Sequence, residues 1–238
     1  MNIEEYRKYM TAEMLMGPNS LRILEELLVK HPLAFSSKIA VLDLGCGKGL
    51  TSFALAKETG AKVYANDLWI SAEDNAKRFS EWRVGDQIVP VHEDANDLHF
   101  DKGQFGALVS IDSYHYFATK KGFFEEKILP FLSGGAVVLI GVPGIKDEFS
   151  GRSEELLSDW LGDEAYMFQS PSAWREIIGS NDRIDCIETC EMDCFDAAWE
   201  EWFATGHKYA LGDKQFYDTL IKPYTCFVGI YIKVNKIS

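Results

Sequence analysis

The chain has 238 residues, a formal charge of −13 and 47% hydrophobic content. That length suits one α/β domain with a continuous core, and the acidic balance argues against a nucleic-acid partner, whose binding would rest on a basic surface. No apolar run approaches the ~18 residues that would span a membrane, and the charged start, Met1-Asn2-Ile3-Glu4-Glu5-Tyr6-Arg7-Lys8, is unlike a secretion signal, so a cytoplasmic protein is expected.

Taken in chain order, Tyr6 to Met16 reads as an N-terminal helix, broken by Gly17-Pro18-Asn19-Ser20. Leu21 to Lys30 follows as an amphipathic helix that Pro32 ends. The apolar, β-branched run Lys38 to Leu44 reads as a buried strand. It gives way to glycines at 45, 47 and 49, and Leu50 to Lys57 then reads as a helix. A strand, glycine turn and helix let backbone N–H groups approach an adenosine-bearing ligand with no Cβ in the way. A dinucleotide fingerprint would need glycine at its sixth position, where Leu50 stands; a phosphate-cradling loop would need Ser or Thr after Lys48, where Gly49 stands.

A second strand, Lys62 to Asn66, ends in Asp67, about 20 residues past the glycines, where an acidic residue accepts ribose hydroxyls in nucleotide-binding βαβ units. Leu68 and Trp69 follow, placed for an apolar slot around adenine. Ser71 to Trp82 reads as a crossover helix with a serine cap and Glu73 and Asp74 in its first turn. A third strand, Ile88 to His92, leads into Glu93-Asp94-Ala95, and a fourth, Phe105 to Ile111, opens into Asp112-Ser113-Tyr114-His115-Tyr116. Lys120 to Lys127 reads as a helix, and Leu129-Pro130-Phe131-Leu132-Ser133-Gly134-Gly135 leads into a fifth strand, Ala136 to Ile140.

These motifs, in this order over residues 39–141, resemble class I (Rossmann-like) S-adenosylmethionine (SAM)-dependent methyltransferases of the small-molecule type. Asp43-x-Gly45-x-Gly47-x-Gly49 is similar to that family's motif I, Asp94-Ala95 to its adenine-binding pair, and the segment from Asp112 to its motif IV. The resemblance implies a doubly wound, seven-stranded, mostly parallel sheet whose last strand is antiparallel, with helices on both faces. It implies one domain over 1–238: an N-terminal helical cap over 1–37, a SAM-binding core over 38–141, and a C-terminal half over 142–238. It implies that SAM is held by Asp43, Gly45, Cys46, Gly47, Gly49, Asp67, Leu68, Trp69, Asp94, Ala95 and Ile111. Cys46, inside the turn, is read as structural or backbone-binding. Met16, Gly17 and Pro18 either close over SAM's methionine end or merely join two helices.

The implied reaction moves a methyl group from SAM to a small-molecule acceptor in line, leaving S-adenosylhomocysteine, with no metal, nucleic acid or membrane. Should the acceptor have to lose a proton, the candidate bases are Asp112, Tyr114 and His115, with His115 favoured because its ordinary pKa lies nearest neutrality. Two other readings stay open: a different transferase or SAM-derivative synthase on the same scaffold, and a nonenzymatic SAM-binding module.

Beyond residue 141, Glu154 to Leu161 reads as a short helix, and Ser170-Pro171 opens another, closed by Gly179. Ile184 to Cys190 reads as a strand, which makes evenly spaced Cys186, Cys190 and Cys194 small core residues rather than a metal cluster. Phe195, Trp199, Trp202 and Phe203 recur at helical spacing, followed by Tyr209, Phe216 and Tyr217, before a final strand from Tyr224 to Ile232. This insertion, about 195–222, is expected to be a lid over the acceptor, a helical pair packed on the sheet, or both.

Overall fold

The computed structural model describes residues 1–32 and 39–236. Lys38, read above as the opening of the first strand, and the 37/38 boundary lie outside them. The strands are β1 (Ala40–Leu44), β2 (Lys62–Asn66), β3 (Ile88–Val91), β4 (Phe105–Ile111), β5 (Leu132–Ile145), β6 (Ile184–Glu191) and β7 (Thr225–Val234). They form one seven-stranded sheet in the order β3-β2-β1-β4-β5-β7-β6. Strands β1 to β5 pair in parallel, and only β7 runs against its neighbours β5 and β6. This is the topology that the motif order implies.

Strand alternation divides the core in two. Val41, Val63, Val109 and Leu139 face a layer containing α1 (Ser20–Lys30), α2 (Leu50–Thr59), α3 (Ala72–Glu81) and α6 (Phe195–Ala204). Leu42, Leu108, Val138 and Ile140 face the other, which holds Trp174 and Ile178, with α4 (Ser153–Leu161) and α5 (Pro171–Ile178) following β5 in the chain. The caps act as the sequence suggests. Asn19 accepts from the Leu21 N–H, Ser71 from Asp74 and Ser170 from Ala173, each satisfying a helix-end donor. Among the described residues no helix is long and apolar enough to cross a membrane.

Three expected elements differ. The segment from Tyr6 to Met16 is not one helix: a 3-10 stretch spans Ile3–Tyr9, capped by Asn2, and turns lead on to Pro18. Tertiary contacts outweigh local propensity here. Tyr6 and Tyr9 set their rings edge-on to Phe53, at 5.6 and 5.0 Å, and the Tyr6 hydroxyl donates to Glu58 at 2.7 Å. The stretch from Lys120 forms no α-helix either. Gly122 sits at φ +89°, and the chain passes through a π-turn (Phe124–Ile128) into a 3-10 turn holding Pro130, whose missing N–H cannot continue a helix. Finally, Cys190 is exposed and Cys186 half-buried, because β6 is the sheet's edge; Cys194 lies beyond the strand, at the cap of α6.

Candidate active site

A cavity of about 380 Å³ opens across the carboxyl ends of β1, β2, β3 and β4. This is the crevice where strand order reverses, the usual binding place of open α/β sheets. Its floor is the turn after β1. Gly45 and Gly47 both have positive φ, +76° and +53°, a region costly for side chains bearing a Cβ. At Gly45 a Cβ would also meet the Ser113 hydroxyl oxygen at 2.2 Å; at Gly47 it would come within 3.2 Å of the Met16 sulfur across the cavity.

The turn is fixed from behind. The N–H groups of Gly45 and Cys46 donate to the Asn66 carbonyl at 2.8 and 3.0 Å. Asn75 on α3 donates to the Gly47 carbonyl at 3.0 Å. Ser110 and Ser113 donate their hydroxyls to the Leu44 carbonyl at 2.7 and 2.9 Å, tying the end of β4 to the end of β1. Asp43 is fully buried behind the turn and does not line the cavity; its Oδ2 accepts from Thr51 at 2.7 Å and Ser52 at 2.6 Å. Burial pushes its carboxyl up to about 6, against the pull of the two hydroxyls. Cys46 lines the cavity, and burial holds its thiol well above the ordinary range, which disfavours the thiolate.

Asp67 stands opposite the glycine turn. Its Oδ2 accepts the Gly47 N–H and its Oδ1 accepts those of Trp69 and Ile70, each at 2.8 Å. The same carboxylate thus shapes the turn and faces the cavity, with one lone pair left over for a ligand. Asp94 is oriented by Asn96, whose backbone and side-chain N–H groups donate at 2.8 Å and hold the carboxyl below its usual range. Ala95, Ile111, Leu68 and Trp69 complete the apolar lining, and Trp69 is 64% exposed at the rim.

Of the three candidate bases, the structure brings only Asp112 to the cavity. Tyr114 and His115 point into the protein instead. Tyr114 packs with Phe117, Phe123 and Trp174, while His115, 3% exposed, lies against Tyr116 and Phe168. Burial pushes the His115 imidazole down to about 3. The cause is local: Tyr114–Tyr116 is a 3-10 turn with three residues per turn, and its phase sends Tyr116 outward. Asp112 itself sits at φ +54°, anchored by its N–H to the Gly141 carbonyl at 2.7 Å. Burial and the nearby negative charge of Asp213 push its carboxyl up to about 7.

Sequence reasoning did not single out several lining residues: Met14, Asn66, Glu93, Tyr116 and Phe117. Met16, Gly17 and Pro18 form the cover over the glycine turn. Among the described residues, none from 195 to 222 lines the cavity. The aromatic stripe of α6 is turned inward: Trp199 packs with Trp160, Phe203 and Tyr217, and Trp202 donates its indole N–H to Asp213 at 3.1 Å.

Residues 41–128 match a family model described as "Methyltransferase domain". The "Cypemycin N-terminal methyltransferase" of Streptomyces sp is 36% identical over 88 residues, 37% of this chain and 33% of that protein. The "Probable tocopherol O-methyltransferase, chloroplastic" of Oryza sativa subsp. japonica is 28% identical over 102 residues, 42% of this chain and 28% of that protein. The matches thus span about a third or less of these curated relatives. Among solved structures, the geranyl diphosphate C-methyltransferase of Streptomyces coelicolor A3(2), in complex with Mg2+, geranyl diphosphate and S-adenosyl-L-homocysteine, superposes with a TM-score of 0.71 at 19% identity, covering 98% of this chain and 84% of that one. The chain therefore has the class I methyltransferase fold. Within it, residues 41–128 are similar to the methyltransferase-domain family.

Proposed function

We propose that the protein is a SAM-dependent methyltransferase acting on a small molecule. The observation that carries this reading is Asp67, whose carboxylate closes onto the glycine turn and faces the cavity at the end of β2. In that place it accepts ribose hydroxyls, as the acidic residue of nucleotide-binding βαβ units does. Asp94 and Ala95 then meet the adenine, with Leu68 and Trp69 as its apolar wall. Gly45 to Lys48 and Ile111 border the methionine end, where a Cβ at Gly47 would intrude, whereas Gly49 lies off the cavity against Phe79. Asp43 serves as a positioning residue, acting through Thr51, which lines the cavity.

Bound SAM would supply a methyl group on an already activated sulfonium. The chain's own task is to align the acceptor and exclude water; alignment alone can lower a barrier by on the order of 7–11 kcal/mol. The three proteins above are named for methylation at an N-terminus, at O and at C, so likeness to them leaves the acceptor atom to the site itself.

Calorimetry with SAM, S-adenosylhomocysteine and NAD tests the cofactor reading, and mass spectrometry of metabolite pools for SAM-dependent gain of a methyl group tests the reaction. SAM and its demethylated product should bind and NAD should not. Tight NAD with undetectable SAM would overturn the assignment.

A further inference from the structure

Four carboxylates line the cavity, and three are engaged. Asp67 accepts three backbone N–H groups, Asp94 is held by Asn96, and Glu93 accepts from the His99 N–H at 2.9 Å. Asp112 differs. Among the described residues no hydrogen bond reaches its carboxylate, although its backbone is pinned at φ +54° and its Oδ2 lies 2.9 Å from where a Cβ on Gly17 would sit. A carboxylate that faces the cavity and has no donor from the protein is free to accept one from a ligand. The carboxylate also stands at the end of β4, across the strand-order reversal from Asp67. If Asp67 takes the ribose, Asp112 lies on the side of the reacting end.

Two further features narrow the ligand. Among the described lining residues Lys48 is the only cation, and its ammonium is taken by the Glu13 carbonyl. An acceptor bearing phosphate or carboxylate would meet that one cation against four carboxylates. Beside Asp112 instead stands the ring of Tyr116, 44% exposed and edge-on to Trp69 at 5.1 Å. A carboxylate near an aromatic ring suits a nitrogen that is, or becomes, cationic.

We propose that the acceptor is a small amine whose nitrogen donates a hydrogen bond to Asp112 and lies against Tyr116. The inference rests on the methyltransferase reading. In the step it implies, the lone pair of the neutral amine attacks the methyl carbon. The N–C bond forms as the C–S bond breaks, and the C–S electron pair stays on sulfur. The nitrogen, now cationic, passes its proton to the Asp112 carboxylate, from which it leaves to water with the product. The raised carboxyl suits that duty, since a group ionising near pH 7 both accepts and releases a proton readily.

The test uses the purified full chain, radiolabelled-methyl SAM, and matched panels of primary and secondary amines, alcohols, phenols, carboxylates and phosphate monoesters. Label should enter the amine panel. Asp112→Asn, which tolerates the left-handed backbone as well as Asp, should keep the SAM dissociation constant within about threefold while losing roughly 10²–10⁴-fold in kcat/KM. It should also abolish calorimetric binding of the methylated amine to the S-adenosylhomocysteine complex. Asp112→Gly, unstrained at that φ, repeats the measurement should the Asn variant fold poorly. Three results overturn the proposal while leaving the methyltransferase reading intact: label only outside the amine panel, no label in any amine although SAM binds, or unchanged kcat/KM in the folded variants. SAM affinity falling as far as kcat/KM also overturns it, since Asp112 would then hold SAM's own ammonium. Absence of SAM binding by the wild-type chain overturns both readings.

Discussion

At the scale of single residues, two buried carboxylates that the sequence places one strand apart are held in different ways. Asp67 accepts three backbone N–H groups, which fix its carboxylate between the glycine turn and the cavity. Asp67→Ala removes the ribose acceptor and frees the turn at Gly47, and SAM affinity should fall by roughly 1–3 kcal/mol, on the order of 5- to 150-fold. Gly47→Val should cost more, because a branched side chain at φ +53° is strained and fills the cavity toward Met16. Unchanged SAM affinity by calorimetry in both folded variants would remove the site. Asp43 instead pays for burial: its Oδ1 has no partner among the described residues, and its carboxyl rises from an ordinary 3.8 to about 6. A carboxyl raised in the folded state binds its proton more tightly there than in the unfolded chain. Its contribution to stability is therefore complete below pH about 4 and is lost as pH rises through about 6, a change on the order of 2–3 kcal/mol. Asp43→Asn keeps an acceptor for Thr51 and Ser52 but cannot ionise. Urea unfolding from pH 4 to 7 should show a flatter stability profile than wild type, and an identical slope would contradict the burial argument.

At the scale of elements, periodic segments were legible and phase-dependent ones were not. The parallel strands, α1, α3 and α5 announce themselves through continuous apolar runs, cap residues and terminal glycines, and the structure begins and ends them within a few residues of those signals. The glycine turn, Asp67 and Asp94 were readable because strand ends fix where such residues point. Tyr114, His115 and Tyr116 were not, since a one-residue change in the phase of a 3-10 turn exchanges inside for outside. The insertion after β6 was ambiguous for a related reason: an aromatic stripe at helical spacing looks the same over a ligand and over a core. Here the buried indoles of Trp199 and Trp202 decide for core, and Met16-Gly17-Pro18 covers the cavity. Trp199→Ala and Trp202→Ala should each destabilise by about 3–5 kcal/mol. At 2–4 °C per kcal/mol for a chain of this size, melting should fall by roughly 6–20 °C while the folded fraction keeps its SAM affinity. Wild-type melting with impaired turnover would restore the lid.

At the scale of the molecule, the cavity is where separately built parts meet. β1, β2 and β3 bring the glycine turn, Asp67 and Asp94; β4 brings Ile111 and Asp112; and the N-terminal segment lays Met14 to Pro18 across them. Few direct bonds hold that segment down near the cavity, the Lys48 ammonium to the Glu13 carbonyl being one. A ligand touching all three parts binds only when they are assembled, so it stabilises the native chain and not the unfolded one. At a hundredfold excess over its dissociation constant such a ligand adds about 2.7 kcal/mol. For a chain of this size that corresponds to a rise in melting temperature of roughly 5–10 °C. S-adenosylmethionine and S-adenosylhomocysteine should both produce it. NAD at the same concentration should not, because Leu50 stands where the dinucleotide turn needs glycine and packs 4% exposed in the core. Gly47→Val, strained at φ +53°, should melt below the ligand-free wild type and respond to neither nucleoside. A thermal scan in which NAD alone shifts the transition, or in which that variant responds to SAM as fully as wild type, would place the ligand elsewhere on the sheet.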